Sequence, residues 1–187
     1  MSAFARSPSR AARLASLGFA EPARADTLLD DAALAGLIDP LDDVFGDGLP
    51  DALSQVADPD LALLGLVRLM ESLGRADLEG VNDRDHNSAE LIAALRQAGA
   101  GRNRLLAVLG ASSALGDHLV THPGHWRCVT EATRQSADQR RDYVVGEVSS
   151  ALASAGPFAA SDALRVAYRS NLLGIAALDL TARKAVA

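Results

Sequence analysis

The spacing of apolar residues decides what this chain can fold into. Leu63, Leu66, Val67, Met70 and Leu73 fall at i, i+3, i+4, i+7 and i+10, which lines one face of an α-helix. Helical spacing returns at Leu91, Leu95 and Ala98, and at Leu105, Val108 and Leu109. It returns twice more, at Val144, Val145, Val148 and Leu152 and at Leu164, Tyr168, Leu172, Ile175 and Leu178. No segment alternates apolar and polar residues between turn signals, and no repeat of fixed period or low-complexity tract is present. Composition agrees: 49% of residues are hydrophobic but only 4% aromatic, so Ala, Leu and Val supply the apolar mass and helices are favoured over a β-sandwich. The predicted fold is all-α, an irregular bundle of about seven helices.

Local signals set the expected boundaries. Asp58-Pro59 starts a helix, with an N-cap acid, proline at the first helical position and Asp60 near the positive end of the dipole; Gly74 is read as its stop. The run Leu28, Leu29, Ala32, Ala33, Leu37 reads as one stripe from Asp26 to Asp39-Pro40. An acidic, glycine-rich loop is expected over residues 42–50, and Asn87 with Glu90 has the form of a capping box. Gly99 is read as a helix end and Gly110 as a break before a helix over residues 112–121. His122-Pro123-Gly124 closes that helix, and Gly156-Pro157 divides the two last segments. Two regions follow: 1–50, short helices and an acidic loop, and 51–187, a helical domain. Its final helix runs through Leu180, Arg183 and Lys184 without a stop, which reads equally as truncation or as fraying.

The first seventeen residues carry Arg6, Arg10 and Arg13, serines and no acid, a pattern shared with transit peptides. The stronger reading is a short helix capped by Ser9, with Leu14 and Leu17 on one face and Gly18-Phe19 as its stop. A net charge of −6 and a pI near 5.1 give no electrostatic footprint for nucleic acid, and no apolar run approaches a membrane span. The single cysteine, Cys128, forms no internal disulfide, so a cytoplasmic location is expected.

Chemical motifs are weak. His118, His122 and His125 stand at i, i+4 and i+7 with Cys128 three further on, a metal-like spacing that Pro123-Gly124 interrupts. Leu119 sits where H-E-x-x-H needs its glutamate. The alternative places the histidines at a helix C-terminus with Trp126 and Cys128 packed inward. Asp83, Asp85 and Asn87 imitate a calcium loop but lack its glycine and its closing glutamate. Gly110-Ala111-Ser112-Ser113-Ala114 lacks the strand and second glycine of a nucleophile elbow, so Ser112 or Ser113 is expected to cap a helix. No phosphate-binding glycine loop occurs. No catalytic, cofactor-binding or metal residue is assigned. Arg165 and Arg169, i and i+4 with Tyr168 beside them and Asp162 and Asp179 at either end, can face a phosphate, an acidic partner or solvent.

Residues 106–126, reading LAVLGASSALGDHLVTHPGHW, and 164–180, reading LRVAYRSNLLGIAALDL, resemble the N-terminal helical region of the bifunctional glutamine synthetase adenylyltransferase/adenylyl-removing enzyme. Residues 13–19 and the stretch from Asp58 through Met70 and Leu73 are similar to it in the same order. The resemblance implies a two-headed nucleotidyltransferase using ATP and Mg2+. It would add AMP to a tyrosine of glutamine synthetase and remove it by phosphorolysis, tuned by a PII-type signalling protein. The family's Gly-Ser turn and Asp-x-Asp pair on a strand are absent here, and the role is not transferred to Asp83 and Asp85. The chain is therefore expected to be a structural part of such an enzyme, inactive alone, with Arg165, Tyr168 and Arg169 facing its core or a partner. The competing expectation is a stand-alone helical protein-interaction module.

Overall fold

A computed structural model describes residues 9–38, 48–78 and 88–182. All regular structure in them is helical: α1 (Arg10–Ser16), α2 (Pro22–Leu29), α3 (Leu49–Leu53), α4 (Pro59–Leu78), α5 (Ser88–Arg96), α6 (Ala100–Ala111), α7 (Ser113–Thr121), α8 (Trp126–Thr130) and α9 (Ala137–Ala182), with 3-10 turns at Ala32–Leu34 and Pro123–His125. The all-α expectation holds.

The bundle is organised around α4. Ala62, Leu63, Leu66, Leu69 and Leu73 are fully buried, and Leu105, Leu106, Val108 and Leu109 of α6 pack into the same core. That core runs from Leu14 to Ala177 and takes residues from either side of position 50. Polar ties fix the ends. Ser72 donates to the carbonyl of Val120 at 2.8 Å and Arg68 pairs with Asp117 at 2.6 Å, joining α4 to α7. Arg13 pairs with Asp51 at 2.8 Å, joining α1 to α3.

The predicted caps are in place. Ser9 accepts from Ala12 N–H, Asp58 from Leu61 N–H and Ser112 from Leu115 N–H. After α1, Gly18 takes φ of 93°, its N–H bonds to the carbonyl of Ala15, and the Phe19 N–H reaches that of Leu14 at 3.2 Å. Phe19 and Leu14 are both buried, completing a Schellman stop with its hydrophobic contact.

Other boundaries differ from expectation. Gly74 does not end α4, because it keeps right-handed backbone; among the described residues positive φ is confined to Gly18 and Gly156. Gly99 is the N-cap of α6 rather than the end of α5, and Gly110 lies inside α6. The stripe after Asp26 is broken after Leu29 by Asp30 and Asp31, and the Asp31 carboxylate accepts from Ala33 N–H to open a 3-10 turn instead. The expected loop over 42–50 gives way at its end to α3, where Gly48 caps and Leu49 is buried. Residues 39–47 and 79–87, with the calcium-like Asp83, Asp85 and Asn87, the Asn87 half of the capping box and the Asp39-Pro40 stop, lie outside the described residues. So do residues 1–8, with Arg6 of the transit-like pattern, and Arg183 and Lys184.

The largest correction concerns α9. Gly156 (φ 82°, ψ −172°) divides it into two arms, 137–155 and 157–182, as the Gly156-Pro157 signal predicts. The arms pair antiparallel. Asn171 donates to the carbonyl of Arg140 at 3.3 Å, and Tyr143 hydrogen-bonds Ser170; both pairs are centred on the Gly156 tip. The faces are not the predicted ones: Ala160, Ala167, Ser170, Leu173 and Ala177 are buried, whereas Leu152, Leu164 and Tyr168 are exposed. Small residues let the second arm lie close to its neighbours, and a Cβ at Gly174 would stand 3.7 Å from the Cys128 carbonyl oxygen. The bulky residues are thereby turned outward.

Candidate functional site

The second arm of α9 and the start of α7 form a groove of about 720 Å³ whose walls include Leu115, Arg165, Tyr168, Arg169, Leu172 and Asp179. The three residues singled out from sequence thus share one site. Their states differ. Arg165 is exposed and held by Asp162 at 2.6 Å, one turn away on its own helix. Tyr168 is 59% exposed. Arg169 has no ion pair among the described residues and lies close enough to His118 and His122 to oppose protonation of both. Asp179 lines the groove ten residues further along.

Behind Arg169 the three histidines converge at the α7 corner. Their ring centroids lie 4.7, 5.1 and 5.5 Å apart, and His118 Nε2 stands 3.0 Å from His125 Nδ1, so one ring donates to the other. His118 is 2% exposed. Burial, then His122, His125 and Arg169, bring its pKa down from 6.5 to about 4; burial and Arg169 lower that of His122. Protonation of His118 and His122 is thereby disfavoured beside an arginine. Cys128 does not join it: it is exposed rather than packed inward, with Sγ 3.4 Å from Ser170 Oγ at the base of the hairpin. Trp126 is buried as expected. Among the described residues no group of three His, Cys, Asp or Glu side chains is placed to hold a metal ion. None of the described residues is therefore grouped to fit the Mg2+ that the resemblance implies.

Sequence reasoning missed two arrangements. Arg127 lies over the Trp126 ring, 4.5 Å from its centroid, and bonds Glu90 of α5, which raises its pKa. Asp60 does more than favour its own helix dipole: its carboxylate accepts from Ala20 N–H at 2.7 Å and Glu21 N–H at 3.2 Å, anchoring the entry to α2. No short-range signal encodes a contact forty residues distant.

Fold and groove together define an all-helical chain, in its described residues, with a largely apolar surface groove. Its relatives are more specific. The chain is 44% identical over 169 residues to the bifunctional glutamine synthetase adenylyltransferase/adenylyl-removing enzyme of Streptomyces coelicolor, covering 90% of this chain and 15% of that enzyme. It is 42% identical over 182 residues to that of Streptomyces avermitilis, covering 96% and 16%. Against the Mycobacterium avium enzyme of the same name it is 43% identical over 132 residues, covering 70% and 12%. The chain is therefore related to one stretch of the bifunctional glutamine synthetase adenylyltransferase/adenylyl-removing enzymes, and spans about a sixth or less of their length. No family model and no solved structure matches it. Among the described residues no helix is long and apolar enough to cross a membrane.

Proposed function

We propose that this chain is the counterpart of the N-terminal helical region of an enzyme that transfers AMP from ATP to a tyrosine of glutamine synthetase and removes it by phosphorolysis. Its role there is structural. The observation that carries the reading is identity above 40% along nearly the whole chain to enzymes of that name, combined with a hairpin that leaves bulky apolar residues uncovered. In water such a face is costly, and packing against a catalytic core removes it from solvent. Mg2+ and ATP would be held by that core, where the tyrosine of glutamine synthetase would react. Glutamine synthetase is the partner of the whole enzyme, a PII-type signalling protein a further one, and the cytoplasm the place where they meet.

The test replaces the matching 169 residues of the Streptomyces coelicolor enzyme by this chain. Retained adenylylation and deadenylylation of glutamine synthetase is the expected result, and loss of both activities in a folded chimera would overturn the reading. The isolated 187-residue chain should release no AMP from adenylylated glutamine synthetase when phosphate is added. An immunoblot of source cells supplies a second check: a native product far above 19.4 kDa is expected. A band at that mass would favour the stand-alone interaction module, for which the same uncovered face is the supporting feature.

A further inference from the structure

The groove on the second arm of α9 has a charge pattern that specifies its occupant. Toward one end stand Arg165, paired with Asp162, and Arg169, which has no ion pair among the described residues and opposes protonation of His118 and His122. Asp179 lines the groove further along the arm from Arg169. Ten helical residues separate them, about 15 Å along the axis. Between them lie Leu115, Leu172 and Ile175, none fully buried. An apolar strip ended by a cation and an anion suits an amphipathic helix carrying an acid and a base about three turns apart, and the two charges fix which way it runs.

We propose that this groove holds such a helix, and that it comes from elsewhere in the same polypeptide. The inference rests on the reading that the chain is part of a longer adenylyl-transfer enzyme. The matched stretch makes up only 15–16% of the two Streptomyces enzymes, so most of their length is tethered to these helices. Tethering supplies the effective concentration that such a shallow site needs.

The chimera described above provides the test, read by backbone hydrogen exchange and independently of activity. Residues 165–179 are expected to exchange at least about tenfold more slowly in the chimera than in the isolated chain. Arg169→Glu should abolish that slowing, and far-UV circular dichroism of the isolated variant checks that it is folded. Leu172→Ser supplies a second variant that acts through the apolar strip. Equal exchange in chimera and isolated chain would overturn the docking proposal even where the chimera is active. An inactive chimera with slowed, Arg169-dependent exchange would overturn the enzymatic reading and leave the groove assignment standing. Concentration-dependent dimerisation of the isolated chain that Arg169→Glu removes would overturn the proposal in favour of a second copy as occupant.

Discussion

Gly110 is the position where a single methyl group has least room. A Cβ there would meet Val56 Cγ2 at 2.7 Å and the Asp58 carbonyl oxygen at 2.9 Å, and the latter belongs to the backbone that starts α4. Gly110→Ala is therefore expected to destabilise the fold by about 1–3 kcal/mol, read from a urea midpoint with unchanged slope; a stability gain from better helix propensity would contradict the crowding. His118 sets the pH response. Its pKa is about 4 in the fold against 6.5 when unfolded, so between those values the unfolded chain binds more protons. Stability should accordingly fall as pH drops from 6.5 to 4, and this contribution should be level above and below that window. His122, also lowered, adds in the same direction. In His118→Gln the fall should be shallower, and an identical pH profile in chemical denaturation would dismiss the cluster as its source. The three histidines were legible as a helical spacing, but the lowered pKa values of His118 and His122 were not, since they come from burial and from Arg169 on another element.

At the scale of single elements, what could be read was what neighbours in sequence determine. The Ser9, Asp58 and Ser112 caps and the Gly18-Phe19 stop each involve residues within one turn, and all are found. Gly74, Gly99 and Gly110 misled because a glycine ends a helix only where φ turns positive. Close approach decides instead at Gly110, and at Gly65, where a Cβ would stand 3.1 Å from Leu109. Gly18→Ala should cost about 1 kcal/mol through the left-handed backbone alone, because no atom lies within 4 Å of the added Cβ. Asp60→Ala is expected to cost about 1–2 kcal/mol by releasing two backbone N–H groups at the entry to α2. Thermal melts of both variants check the pair. An Asp60→Ala melt equal to wild type would mean that water replaces the carboxylate without loss.

Across the whole molecule the arms of α9 show why a correct period can still yield the wrong face. Leu164, Tyr168 and Leu172 repeat as a core stripe would, yet the arm packs through Ala160, Ala167, Leu173 and Ala177, the side on which its backbone can come closest. Periodicity reports that a face exists; which neighbour covers it depends on the rest of the fold. The same asymmetry divides stability. α4 and α6 are buried on broad faces, whereas the first arm is half-buried at best and Phe158 beside the tip is 89% exposed. Few apolar contacts there mean a low free energy of local opening. In the isolated chain, amides of residues 141–158 should exchange close to the rate of unprotected peptide, while those of Leu66, Leu69, Leu105 and Leu109 exchange only on global unfolding. Limited proteolysis should cut first near Phe158. If instead the hairpin tip and α4 exchange together across a denaturant series, the arms are one cooperative unit with the bundle, and the uncovered face is held in place before any partner reaches it.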